Sequence, residues 1–403
     1  MKFIITKFFK IVLFGNFLLL PMITIAQTTT TSTSGTVIIP NTEVPFLNLT
    51  PDSRSGAMGE AGVALSPDVN ANFWNPSKLA FLTNNDDISI SYSPWLRQLI
   101  PDISLSYVSY AHKLDDRNSL GFSLRYFNYG SIQLTDASQN SQGTYNPNEF
   151  SLNASFARKF GEGFSLGLTA GYIRSNFSNA SFSAGSGQLS KAGNSVSAGV
   201  SLYYRKEVQQ FGADGVFSFG TNISNIGSKI SYSDAGPKYF LPANLKIGVA
   251  DMINLDEFNQ LTLTFDLNKL LVPAPPIRDG NGNIIQGKND NVSVTAGIFG
   301  SFSDAPGGTS AVLHEITFSP GLEYWYNRLF AVRAGYFFQS SNNPYNPFLG
   351  GSKYLTLGVG FKYNVFNFDF SYIAGSQQNS PLANTLRFTL IATFGGEGNQ
   401  NKK

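Results

Sequence analysis

The chain has 403 residues, of which 13% are charged and 14% aromatic, and its formal net charge is +2. Soluble globular proteins carry about 25% charged residues, and a hydrophobic content of 42% is too high for a disordered chain. The near-zero charge gives no field for nucleic acid. Zero cysteines exclude disulfides, thiol nucleophiles and Cys-ligated zinc, and two histidines, His112 and His314, leave little for metal or imidazole chemistry, so no cofactor is expected.

In chain order, the first feature is an export signal. Lys2, Lys7 and Lys10 precede an apolar run from Ile11 to Leu20, Pro21 ends it, and Thr24-Ile25-Ala26 supplies a small-residue cleavage site before Gln27. Residues 1–26 therefore read as a cleaved signal peptide, and 27–35, rich in Ser and Thr, as a disordered leader. No later apolar run reaches the ~18 residues of a membrane-spanning helix. An exported, aromatic-rich, charge-poor chain of this kind has another solution, a closed β-barrel, which satisfies every backbone group within lipid.

Residues 36–86 do not alternate cleanly. Gly56, Gly59 and Gly62 recur every third residue, which would put small residues near one face of a short helix packed against a wall. With Arg54, Met58, Asn75 and Pro76 they are expected to hold a luminal plug, since a wide barrel would otherwise leak.

From residue 87 the two-residue period takes over. Leu261, Leu263, Phe265 and Leu267 alternate with Thr262, Thr264, Asp266 and Asn268; Phe366, Phe368, Phe370 and Tyr372 alternate with Asn367, Asp369 and Ser371. One face is bulky and apolar, the other polar or glycine, as in outer-membrane strands. The expected strands are 87–93, 102–113, 118–130, 149–160, 164–176, 194–206, 215–224, 243–253, 258–268, 313–325, 329–339, 353–363, 365–373 and 385–394, fourteen in all, with a tail at 395–403. Short and long links then alternate without exception. Counting 292–299 as a further strand breaks that alternation, so 269–312 is assigned to one outer loop of 44 residues. Structureless loops of that length are uncommon, which points to function.

The loop opens with Pro273, Pro275 and Pro276, which favour a stiff extended arm. Asp279-Gly280-Asn281-Gly282-Asn283 has only one acid and reads as a tight turn rather than a calcium loop. Asp304-Ala305-Pro306-Gly307-Gly308 marks a second turn. Gly163-Phe164-Ser165-Leu166-Gly167 matches G-x-S-x-G, but Ser165 falls inside an alternating strand rather than at a strand-to-helix elbow.

The segment Asp52-x-Arg54-x-x-x-Met58-Gly59-x-Ala61-Gly62-Val63-Ala64, with Trp74-Asn75-Pro76, resembles the PorV family of the type IX secretion system. So do Pro94-Trp95-Leu96, Ile277 to Asn283 after the proline arm, Asp304 to Gly308, and Gly321 to Asn327. Asn75-Pro76 is also similar to the plug region of FadL-type transporters, although Ser77 stands where those usually have Ala. The resemblance implies a fourteen-stranded, plugged barrel in the outer membrane of a member of the Bacteroidetes. Its implied partners are cargo proteins with a C-terminal sorting domain, a large outer-membrane translocon barrel, a sortase-like surface attachment protein, and outer-membrane lipid. No enzymatic activity is expected. Trp95, Pro273, Pro275, Pro276, Arg278, Asp304 and Pro306 are the candidate partner-binding residues, with a place for Trp95 in the membrane-interface girdle as the competing reading. The alternative function is FadL-like import of hydrophobic molecules, with Phe46, Leu47 and Phe73 lining a pocket; lipid A deacylation ranks below it.

Overall fold

In the computed structural model each alternating run is a strand, because β-branched and aromatic residues on one face and small polar residues on the other suit a wall between lipid and a polar interior. The structure describes residues 42–95, 102–135, 138–177, 183–184, 188–189, 191–234, 236–340, 352–375 and 385–395. The expected signal peptide, the leader and nearly all of the tail lie outside them.

The wall comprises β1 (Asp86–Pro94), β2 (Ile103–Lys113), β3 (Asn118–Tyr129), β4 (Asn148–Phe160), β5 (Phe164–Asn176), β6 (Gly193–Gln210), β7 (Ala213–Gly227), β8 (Asn244–Asn254), β9 (Asn259–Leu270), β10 (Thr317–Tyr326), β11 (Phe330–Gln339), β12 (Ser352–Tyr363), β13 (Phe366–Gly375) and β14 (Leu386–Phe394). Each strand pairs antiparallel with its sequence neighbours, and β1 closes the barrel on β14 with Asp86 opposite Phe394 and Ser91 opposite Thr389. Closure leaves no edge. Burial alternates with the sequence: in β1, Asp87, Ser89, Ser91 and Ser93 are buried while Ile88, Ile90 and Tyr92 are exposed. The same outward ladder recurs in β12 as Leu355, Leu357, Val359 and Phe361. This is an outer-membrane β-barrel, with apolar side chains toward lipid and Ser, Thr, Asn, Gly and ions inside.

The strand that would run from 313 begins instead at Thr317. Gly308, at φ 70°, opens a short helix, Thr309–His314, which turns Val312 onto Ala274 and Ala305. Val292 to Phe299 is not a strand either: Ser293 Oγ accepts from the Ala296 N–H and caps a helix over Val294–Gly300.

Residues 42–85 hydrogen-bond to inward-facing side chains around the wall. The Ser53 N–H donates to Thr389 of β14, the Gly59 N–H to Thr356 of β12, and the Gly62 and Val63 N–H groups to Asp266 of β9. Asn222 of β7 donates to the Trp74 carbonyl, the Ser77 N–H to Ser201 of β6, and Asn72 to Ser109 of β2. At the long-loop end Val44, Phe46 and Leu47 join Trp95, Leu105, Phe127, Ile173 and Leu241 in one apolar cluster. Toward the short-turn end Leu79, Ala80 and Leu82 pack with Ala111, Ala157 and Ile391. The segment thus runs the length of the lumen.

Candidate functional site

Two regions stand out, the luminal segment and the outer loop. The luminal segment is organised by buried charge. Arg54, on the helical turn Ser53–Gly56, donates through Nε and Nη2 to both oxygens of Glu323 at 3.0 and 2.8 Å. Nη1 reaches Asp68 at 2.9 Å and the Ser66 carbonyl at 3.1 Å, and Nη2 also reaches Ser66 Oγ at 2.7 Å. All five guanidinium N–H groups are therefore engaged. Glu323 also accepts from Arg333 at 2.7 Å, and Arg333 reaches Asp369 at 2.6 Å, so the network runs from the segment into β10, β11 and β13. Arg387 of β14 bonds Glu60 at 3.0 Å. Asp52 binds the segment to itself: its Oδ2 accepts from the Ser55 N–H at 2.9 Å and its Oδ1 from Trp74 Nε1 at 2.6 Å. Burial of these groups is tolerable because nearly every charge is paired.

The three glycines do not share a helix face. The helix ends at Gly56, and Gly59 and Glu60 adopt φ values of 70° and 65°, which break its continuation. Gly59 instead meets the wall backbone to backbone. A Cβ there would lie 2.6 Å from the Tyr336 carbonyl oxygen, and one on Gly335 of β11 would collide with Gly59 N. Gly62 faces Trp74 within the segment rather than the wall. Met58 is fully buried with Ala64, Leu65 and Ala250. Asn75 Nδ2 bridges the carbonyls of Val63 (3.0 Å) and Leu202 (2.9 Å), while Pro76 starts a 3-10 turn over Pro76–Phe81. Sequence reasoning missed Glu323, Arg333, Asp369 and Asp266. Their signal was a charge on the polar face of strands otherwise lined by Ser, Thr and Gly.

The outer link 271–316 folds on itself. Lys269 at its root pairs with Glu315 at 2.6 Å. Ile277–Arg278 pairs with Ile284–Gln286 as a hairpin. At its tip Asp279 Oδ1 accepts from the N–H groups of Asn281 (2.9 Å) and Asn283 (2.8 Å), an Asx-type turn with no cation required. Asp304 Oδ2 accepts from the Ala274 N–H at 3.2 Å, and burial pushes the Asp304 carboxyl above its ordinary value while that bond opposes the shift. Pro273, Asp304 and Pro306 are buried inside the loop, Pro275 and Pro276 are half-buried, and Arg278 is exposed, pairing with Asp290 at 2.9 Å. The loop therefore presents Arg278 and the hairpin outward, and uses Asp304 and Pro273 to hold itself together. Three large apolar side chains are also outside: Ile285, Phe299 and Leu313 are 62%, 73% and 59% exposed. Phe240 joins the two regions. Its carbonyl accepts from the Glu43 N–H at 3.1 Å, and its ring lies against Gly297 of the loop.

Trp95 is neither an exposed anchor nor part of the girdle. It is 7% exposed and packs edge-on to Phe127 at 6.0 Å in the cluster that holds Phe46 and Leu47. A position directly after β1 turned the indole into the barrel mouth, where apolar contacts were available. Ser165 is fully buried, and its Oγ donates to the Ser77 carbonyl at 2.7 Å. His112 lies at the rim, 2.8 Å from Asp86. Phe73 lines a cavity of about 40 Å³ whose other walls are mostly Ser, Asn and Thr.

The family model for the type IX secretion system protein PorV matches residues 31–277, more than half of the chain. No curated protein sequence matches significantly. Solved structures that resemble this one include the Ralstonia pickettii toluene transporter TbuX, at 12% identity over 85% of this chain and 98% of that one, with a TM-score of 0.43. The Pseudomonas putida toluene transporter TodX gives 13% identity, 85% and 96% coverage, and a TM-score of 0.45. A Pseudomonas aeruginosa FadL homologue gives 13% identity, 90% and 100% coverage, and a TM-score of 0.43.

Proposed function

Because this chain belongs to the PorV family of type IX secretion system proteins, we propose that it is a plugged barrel that handles exported cargo from its outer face and passes nothing through its lumen. The observation that supports this reading is the luminal segment, which crosses the interior from the Phe46 cluster to Leu82, bonded to strands around the wall, and leaves a cavity of about 340 Å³ beside Arg54, Asp68, Phe81 and Leu82. With the lumen occupied, work on large partners falls to the surface loops. The self-supporting loop 271–316, with Arg278 on its hairpin and exposed Ile285, Phe299 and Leu313, is the proposed grip. Residues 42–85 act as the plug. The ligands proposed are cargo proteins that carry a C-terminal sorting domain, which the barrel receives beside a large translocon barrel and hands to a sortase-like attachment protein. Export through a signal cleaved before Gln27 belongs to the same proposal, and N-terminal sequencing of the mature chain tests it.

An importer of hydrophobic molecules would need an apolar passage. Phe46 and Leu47 are instead buried in a packed cluster, the cavity beside Phe73 is polar and too small for an acyl chain, and the larger cavity beside Leu82 is lined by Arg54, Asp68, Asp87, Arg205 and Lys362. The deciding experiment compares the proteins at the cell surface and in the medium with those in the periplasm, in cells with and without this chain. Loss of sorting-domain proteins from outside, with their retention inside, is the expected result. Normal export, together with impaired uptake of hydrophobic substrates, would replace this reading with the importer.

A further inference from the structure

The lumen has two chemically different sides. Against β9 to β14 the buried cations Arg54, Arg333 and Arg387 are each paired with carboxylates. Against β3 to β7 lies a cavity lined by Ser123, Asn153, Thr169, Ser197 and Asn222 together with one cation, Arg125, while the buried carboxylate of that wall, Glu149, is bonded to Tyr129 and Ser175 instead. Arg125 is 4% exposed, yet it belongs to none of the ion pairs among the described residues. Its Nη1 donates to the carbonyls of Phe46 (3.1 Å) and Leu47, and its plane lies 4.4 Å from the Phe73 centroid. Its Nε has no partner.

A permanently charged guanidinium buried without a counter-charge is costly, and a buried N–H left unbonded adds to that cost. Arginine cannot escape by losing its proton. Something must therefore neutralise it, and the cavity that Arg125 lines has about 40 Å³ of room beside hydroxyl and amide groups able to donate. We propose that this cavity is a binding site for a small monoanion of the halide class, seated against Arg125 and the surrounding side-chain donors. Because Arg125 also holds the carbonyls of Phe46 and Leu47, anion binding is linked to the anchoring of this part of the luminal segment at the barrel mouth.

The test uses the full mature protein in detergent micelles. At equal ionic strength, Tm in sodium chloride or bromide is expected to exceed Tm in sodium gluconate, whose anion is too large for the cavity, by about 2–4 °C. Arg125→Gln should erase the difference. Crystals grown with bromide should show anomalous density in the cavity within hydrogen-bonding distance of the Arg125 guanidinium, a readout on the unaltered chain that does not depend on the variant folding. Equal Tm in all three salts overturns the site, as does an anion effect that persists in Arg125→Gln or a cavity that holds only water in the bromide crystals.

Discussion

At the scale of single residues, Arg54 and Gly59 show how the luminal segment is fixed by chemistry and by space respectively. Arg54 satisfies all five donors across Glu323, Asp68 and Ser66, a set that a lysine with three donors on a single nitrogen does not reproduce. Arg54→Ala removes one side of a buried network and should cost about 3–5 kcal/mol of the segment's attachment. The expected phenotype is increased sensitivity of cells to large antibiotics such as vancomycin, with normal amounts of folded barrel, and Arg54→Lys should recover only part of the loss. Gly59→Val tests space. Its φ of 70° and the Tyr336 carbonyl leave no place for a side chain. The expected result is faster proteolysis of residues 42–85 in purified protein while the strands stay resistant. Unchanged protease resistance would show that the contact with β11 does not hold the segment.

At the scale of elements, the outer loop separates what holds it from what it offers. Asp304→Ala leaves the buried Ala274 N–H unbonded, at a cost of about 1–3 kcal/mol. Limited proteolysis should then nick 271–316 sooner, with the barrel band unshifted on a gel. Elements also show how far a sequence can be read here. Strand number, order and most ends were legible because lipid outside and polar groups inside impose a strict period of two on every strand, β9 and β13 being the plainest. The start of β10 was misplaced because Val312 and Ile316 lie in phase with Phe318 and Leu322 of the strand, while Gly308 and the small core of Ala274 and Ala305 impose a helical turn that no local period reveals. Trp95 was misjudged for the same kind of reason: its partners, Phe46 and Phe127, come from distant parts of the chain. The ion network of Glu323, Arg333 and Asp369 was invisible as a unit: Glu323 and Arg333 face each other across the β10–β11 hairpin, but Asp369 comes from β13, two strands on, and Arg54 from the luminal segment.

At the scale of the whole molecule, the barrel is a protein turned inside out with respect to polarity. Leu357 is 45% exposed and lies on the outward face between Leu355 and Val359. Leu357→Lys is expected to destabilise the folded barrel by about 2–4 kcal/mol if the residue lies near mid-membrane, read as loss of the heat-modifiable folded band on unboiled gels. A change of neighbouring Thr356 would act through the Gly59 N–H instead, so the two positions report separately on the lipid face and the lumen.

The bond from the Ser53 N–H to Thr389, between residues 336 positions apart, also bears on how the barrel is made. The final seam joins β1 to β14, whose residues are separated by nearly the whole chain, and bringing such distant ends together has a high entropic cost and is slow. Ser53 and Ser91 both reach Thr389, so residues preceding the first strand help to bring the last strand to it. The luminal segment thereby bridges the two strands of the seam in the finished barrel. Deleting residues 36–85 should slow the appearance of the folded band in a pulse-chase assembly assay more than it lowers the final yield.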